Sequence, residues 1–360
     1  MMIALSGARR SIAAGVFGLL LLLGIAIAQT DTAASAAPGQ SYAVLIGGIG
    51  GDGPYGKWYA DWLPRFQTYL TTTAHVPTAH ITSLLGDNAT TEAISAAIAK
   101  FATTAQPQDQ LILFIVGHGE NKGDAPRLTL AGPDLEPGQL ADMLKSFPAR
   151  NQVILNFSAS SGDFLKTLSA PGRVNLAATS PTETNEPVFA EFFLRGLESK
   201  RADTDHNGTI NLLEAFNWAA QQTPLWIVRW TKIIPPKSPG PATTPAPISD
   251  DTIWKASGKE TVEIFEKLYS GLPTRKLDPR SDRTAADADV PIFPPGGQVT
   301  ADWDNRRAIN EHATLEDSGA GVGFAVIGDK GLQPIIGQNP GDPGYLAAHT
   351  ILGQPTASAP

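Results

Sequence analysis

An α/β fold with a mostly parallel sheet, covered by helices on both sides, is what this sequence predicts. Three observations lead there. Continuous apolar runs of buried-strand length recur, as in "YAVLIGG" (42–48) and "QLILFIVGHG" (110–119). Stretches with helical spacing separate them, as in "TTEAISAAIAKFA" (90–102). Turn residues punctuate the boundaries. Strands apolar on both faces belong inside a sheet sandwiched between helix layers, and alternation with helices makes that sheet parallel.

The first 28 residues stand apart from this pattern. "ARR" at 8–10 is a short basic region, "SIAAGVFGLLLLLGIAIA" an apolar one, and "AIA" before Gln29 a small-residue cleavage signal. Secretion, or export to the periplasm, is therefore the expected localisation. The same 18-residue apolar segment is also long enough to stay uncleaved as an anchor. Residues 29–40 read as a disordered leader, and the fold is expected from 41 to 222.

"YAVLIGG" opens that fold as a buried strand. "KWYADWLPRFQTYL" (57–70) follows with helical spacing, although Pro64 is expected to kink or divide it. "HITSLL" (80–85) is a strand, and 90–102 a helix capped by Thr90 or Thr91. "QLILFIVGHG" is the strongest strand of the chain. "GQLADMLKSF" is helical, "NQVILNF" and "VNLAATS" are strands, and "PVFAEFFLRGLESK" is a helix.

From about residue 223 to 360 the chain reads as a proline-rich extension, with "PPKSPGPATTPAP" irregular and "KETVEIFEKLYSGL" one amphipathic helix. That extension is expected to pack through Trp254, Val262, Phe265 and Leu268. "LEDSGAG" (315–321) reads as a surface turn and the last 20 residues as loose.

The chain has 360 residues, a net charge of −8 and no cysteine. The negative balance argues against nucleic acid or an anionic membrane as partner. Without cysteine there is no disulfide framework, no thiolate metal site and no cysteine nucleophile.

Two stretches bear on chemistry at the sheet edge. "FIVGHGE" (114–120) places His118 just past the strongest strand, between Gly117 and Gly119, where the backbone can turn sharply. "NFSASSG" (156–162) ends a later strand in small residues. If the two strands are parallel neighbours, they lie about 4.8 Å apart. Glu120 is the acid nearest His118 in sequence, but two residues along an extended segment. The glycines of "GIGGDG" (48–53) fit a dinucleotide fingerprint, yet no acid lies in 68–79 to hold a ribose, so they read as a substrate-side loop.

On these motifs the chain from about Tyr42 to Ala220 resembles the caspase and legumain type of cysteine peptidase, in particular secreted bacterial relatives of legumain. The resemblance rests on "VGHG", on the corner "SASSG", on "AATSPTETNEPVF" and on the acidic "ADTDHNGTINLLEAF". It implies a three-layer α/β/α domain and a His–Cys peptidase site with His118 as the histidine. Aligning Ser161-Gly162 with the family's Ser-Gly puts Ala159 where the cysteine would stand, and a one-residue slip puts Ser158 or Ser160 there. The resemblance further implies a specificity pocket at "TSPTETN" (179–185), with Glu183 as a recogniser of basic groups. Two functions follow: an inactive peptidase homologue holding a protein or peptide ligand at the sheet edge, or a hydrolase using His118 with a serine. A hydroxyl needs a well-oriented base, usually held by a carboxylate, far more than a thiol does.

"DTDHNGTINLLE" (203–214) matches the EF-hand loop at every defined position. Asp203, Asp205 and Asn207 offer side-chain oxygens at positions 1, 3 and 5, and Thr209 its carbonyl at 7. Asn211 serves position 9 directly or through water, and Glu214 is the bidentate ligand at 12. Gly208 permits the turn at 6. Hard oxygen donors in this spacing point to Ca²⁺ as the expected cofactor.

Overall fold

The computed structural model describes residues 39–51, 53–121, 126–180, 186–231, 280, 313–317, 325–326 and 334–355. Every described residue belongs to one compact unit. The signal segment, Glu183, Trp254, Val262, Phe265 and Leu268 lie outside the described residues.

The elements follow the predicted alternation. β1 (Ser41–Gly47), α1 (Tyr55–Thr72), β2 (Ile81–Leu85), α2 (Thr91–Ala102) and β3 (Gln110–Val116) come first. A hairpin of β4 (Gly119–Asn121) and β5 (Pro126–Leu128) leads to α3 (Pro137–Lys145). Then come β6 (Asn151–Asn156), α4 (Leu165–Leu168), β7 (Arg173–Ala177), α5 (Phe189–Ser199) and α6 (Leu212–Thr231). β8 (Thr314–Glu316), β9 (Ala325–Val326) and α7 (Tyr345–Ala348) close the described chain.

The main sheet has seven strands in the order β2-β1-β3-β6-β7-β8-β9. The first five are parallel, and β8 and β9 are antiparallel. Alternation along each strand splits the core in two. Ala43, Leu45, Ile112, Phe114, Val153 and Leu155 face α1, α5 and α6, whereas Val44, Leu113, Ile115 and Ile154 face α2 and α3. This is a three-layer α/β/α arrangement, and its strands are apolar on both faces because both are covered.

Local chemistry explains several boundaries. Thr90 is the N-cap of α2, accepting a hydrogen bond from the Ala93 amide at 3.0 Å. α3 starts with Pro137 in its first turn, behind a capping box of Glu136 and Gln139.

Pro64 does not divide α1, which runs unbroken from 55 to 72. Trp58, Trp62, Leu63, Phe66 and Leu70 all bury against the sheet, and that apolar stripe outweighs one lost backbone hydrogen bond.

The C-terminal extension also departs from its reading. Leu315 and Glu316 sit in β8 rather than in a surface turn, both fully buried. Glu316 is held by Ser169 Oγ at 3.0 Å and Asn175 Nδ2 at 2.8 Å. Asp317 is buried beside it, accepting the Gly344 and Ala347 amides at the start of α7. The last residues are not loose through 355: the Gly353 amide donates to Gln110 Oε1, and Leu352 is buried. A three-residue strand is too short to show a period, and its partner β7 lies about 140 residues earlier.

Candidate functional site

β1 lies between β2 and β3, so the chain leaves the sheet in opposite directions after β1 and after β3. The crevice at such a switch point, beyond the carboxyl ends of the strands, is where open α/β sheets bind ligands. Gly50 and Gly51 follow β1 there, and His118 follows β3. The Gly48 amide continues the ladder onto the Val116 carbonyl at 2.9 Å. A side chain on Gly51, whose φ is +56°, would start 3.4 Å from His118 Nε2. That is where the glycine loop reaches the imidazole, and the loop thus forms one wall of the crevice.

β3 and β6 are parallel neighbours, with Ile115 opposite Asn156. The ladder runs on past both ends, because the Phe157 amide donates to Ile115 O at 2.8 Å and the Ala159 amide to Gly117 O at 3.1 Å. His118 and the 158–160 corner therefore leave adjacent strands at the same edge. Gly119 is forced by this approach: a Cβ there would overlap the Ala159 carbonyl oxygen.

The corner itself is closed. Ser158, Ala159 and Ser160 are each 0% exposed. Ser158 Oγ donates to Asn156 Oδ1 at 2.7 Å, which also accepts the Ser158 amide. Ser161 Oγ accepts the Ala178 and Thr179 amides and hydrogen-bonds the Thr179 hydroxyl at 3.1 Å. Ser160 is different. It holds a left-handed backbone (φ 57°), and its buried hydroxyl has no hydrogen-bond partner.

The acid that meets His118 is Glu186, not Glu120. His118 Nδ1 forms a short hydrogen bond with Glu186 Oε1, across 68 residues of sequence. Glu120 instead lies opposite Arg127 in the β4–β5 hairpin. Glu186 stands in the segment just before α5, three positions beyond Glu183. Nothing in the local sequence marks it off from Glu183, and only the convergence of the β3 and β7 edges brings it to the ring.

Tyr55 and Tyr59 of α1 pack edge-to-face on the same imidazole, with centroids at 5.0 and 6.1 Å. The hydrogen bond to Glu186 raises the His118 pKa. Partial burial opposes this, while the charge of Glu186 and the Gly50 carbonyl add to the rise. Burial, followed by the Glu186 charge, likewise raises both tyrosines. The imidazole is thus enclosed by a carboxylate, two aromatic rings and a backbone carbonyl, and the carboxylate favours its protonated form.

Between α5 and α6 lies the second candidate site. Lys200 ends α5 in a left-handed conformation, and Gly208 turns the loop with φ 86°. One carboxylate oxygen from each of Asp203, Asp205 and Glu214 lies within 4.8 Å of the others. Asn207 Oδ1 accepts the Thr209 amide at 2.8 Å, and Asp203 the Asn207 and Gly208 amides. The donor set is all oxygen with three negative charges, which fits a hard divalent cation. Asn211 is engaged elsewhere. Its Oδ1 accepts the Glu214 amide at 2.9 Å, and Glu214 Oε2 accepts the Asn211 amide, so the two form the capping box of α6. Ile210 is buried, and Asn211 forms a β-bridge with Ile351 of the C-terminal segment.

No protein-family profile and no curated protein matches the chain. Among solved structures, a protein of Geobacter sulfurreducens is similar at 13% identity and a TM-score of 0.36, over 51% of this chain and 89% of that one. The Drosophila initiator caspase Dronc is similar at 9% identity and the same TM-score, over 52% of this chain and 78% of its own.

Proposed function

We propose that the chain is a secreted or periplasmic, catalytically inactive homologue of caspase- and legumain-type peptidases, which binds one Ca²⁺ through the 203–214 loop and a protein or peptide ligand at the sheet edge. The observation that carries this reading is the corner after β6. Ala159 stands there, fully buried, where a nucleophile would be needed, and the hydroxyl of Ser158 is spent on Asn156. His118 supports it further. Its ring faces Glu186 and the Gly50 carbonyl, and among the described residues no hydrogen bond links it to a serine hydroxyl.

Calcium would be held by Asp203, Asp205, Asn207 and Glu214, with the Thr209 carbonyl, and would neutralise the repulsion between the three converging carboxylates. Asn211, engaged as a helix cap, contributes through water.

A serine hydrolase is favoured by one feature alone, the left-handed Ser160 with its unpartnered hydroxyl, since strained residues gather at functional sites. A serine-reactive phosphonate separates the two. The wild-type protein and its His118→Ala variant are both expected to stay unlabelled. Labelling of Ser160 that disappears in His118→Ala overturns the inactive reading. Ala159→Cys tests the corner directly: peptidase activity in that variant is the expected sign of a degenerate site whose geometry survives.

A further inference from the structure

The C-terminal segment 334–355 meets the 203–214 loop where that loop runs into α6. Asn211 forms a β-bridge with Ile351, and the Leu212 amide donates to the Thr350 carbonyl at 2.9 Å. In the second turn of α6, Asn217 closes a two-bond ring with Ile335. Its Nδ2 donates to the Ile335 carbonyl at 2.9 Å, and its Oδ1 accepts the Ile335 amide at 3.1 Å. A Cβ on Gly344 would stand 3.1 Å from Leu213, so the segment passes close over the start of the helix.

The other side of the segment is fastened to the sheet. Gln110, the first residue of β3, donates through Nε2 to the Ile351 carbonyl at 3.1 Å and accepts the Gly353 amide at 2.9 Å. Asp317, just after β8, accepts the Gly344 and Ala347 amides, both at 2.8 Å. Within the loop, Glu214 carries the connection on. Its Oε2 accepts the Asn211 amide at 3.1 Å, and its Oε1 accepts the Thr204 amide at 2.9 Å and the Thr204 hydroxyl at 3.0 Å. Asn211 therefore sits between two attachments, Glu214 on the loop side and Ile351 on the other.

We propose that residues 334–355 form a strap that closes the 203–214 loop, and that strap and loop open together as one unit while the sheet stays folded. The strap grips the backbone of Asn211 and the first residues of α6, and Glu214 fixes that same backbone from within the loop. Neither side can move without breaking bonds of the other. Opening stays local because residues 205–209 are exposed and the strap is mostly half-buried, whereas β1 and β3 are buried along their whole length. Undocking uncovers Leu212 and Leu213, both buried at the start of α6. The coupling itself needs no cation. One consequence rests on the calcium reading: a cation that steadies Asp203, Asp205 and Glu214 must steady the strap by the same factor, because coupling is reciprocal.

The experiment is hydrogen exchange of the full chain, first in EDTA and then in saturating calcium. In EDTA, amides of the loop and of 345–353 are expected to share one opening equilibrium, easier than that of β3. Asn217→Ala removes both bonds to Ile335 and leaves the loop's own hydrogen bonds in place. It should lower protection roughly five- to thirtyfold at the strap, and by as much in the loop. Thr204→Val removes one hydroxyl bond inside the loop and should lower strap and loop protection by equal factors. Loss confined to the strap in Asn217→Ala, or to the loop in Thr204→Val, overturns the proposal. So does an equal loss in β3, which would make the opening global. In calcium, protection of loop and strap should rise together, and a rise confined to the loop again overturns the coupling. If calcium changes neither, the calcium reading falls, and the EDTA comparison alone decides the strap.

Discussion

Glu191 offers the sharpest test of what holds α5 to α1. Its carboxylate is completely buried and takes three donors at 2.8 Å: Arg65 Nη1, Arg195 Nε and Trp62 Nε1. Replacing it by alanine does not affect these partners equally. Arg65 keeps its fork on Glu198, at 2.9 and 2.6 Å, and can reach water. Arg195 is only 3% exposed, so it loses the Glu191 carboxylate where water has little access. Breaking a buried pair in this way costs about 3–5 kcal/mol. That is a large share of the roughly 5–15 kcal/mol that stabilises a whole domain.

Glu191→Gln keeps one acceptor for the ring of donors and should cost less, about 1.5–3 kcal/mol, the worth of hydrogen bonds to a charged group. The double change Glu191→Gln with Arg195→Met removes both charges of the buried pair and should recover much of the loss, because a buried pair replaced as a whole costs far less than one partner removed alone. Urea denaturation followed by circular dichroism, with midpoints compared at constant slope, reads all three. A cost below about 1 kcal/mol for Glu191→Ala would refute the reasoning, since surface-like pairs behave that way. So would a double variant no more stable than the single one.

Calcium at tenfold above a dissociation constant of about 10⁻⁴ M should stabilise the protein by roughly 1.4 kcal/mol, a rise of a few degrees in Tm over EDTA. Glu214→Gln should abolish most of that rise, and identical melting curves with calcium and EDTA in the wild type would remove the calcium site. Asn211→Ala should lower stability by about the worth of one N-cap, ~1 kcal/mol, in both conditions while preserving the calcium shift. Loss of the shift itself would make Asn211 a direct ligand. Gly119→Ala should destabilise at the upper end of about 1–3 kcal/mol, because its methyl would meet the Ala159 carbonyl, which is backbone and cannot rotate away; a neutral substitution would mean the two strand ends are farther apart. The stability gained from His118 is complete below its unfolded pKa of about 6.5 and is lost as pH rises through its higher folded value. The stability difference between wild type and His118→Asn should therefore narrow as pH rises above the ordinary histidine value and through the His118 titration, and a difference constant from pH 5 to 9 would show no such linkage.

Much of this protein can be read along the chain because the deciding interactions are local or periodic. β1, β3, β6 and β7 declare themselves as continuous apolar runs, since a strand covered on both faces has no polar side to show. Thr90 caps α2 through the amide three residues on, and Gly208 turns the acidic loop at the position that needs a positive φ. His118 and the 158–160 corner could be placed at one sheet edge once their strands were taken as neighbours.

What the sequence could not decide is whatever depends on partners far apart. Glu186 reaches His118 only because β3 and β7 end at the same edge, and no local signal separates it from Glu183. Glu316 and Asp317 look like a solvated acidic turn until β7 and α7 supply donors from about 140 and 30 residues away. α1 passes through Pro64 because its aromatic stripe has a sheet to lie on, and a helix-breaking residue read alone cannot reveal how much packing stands against it. Burial settles the serines in the same way. Three hydroxyls beside a histidine suggest chemistry as letters, and tertiary packing turns Ser158 and Ser161 inward to satisfy the backbone and side chains around them.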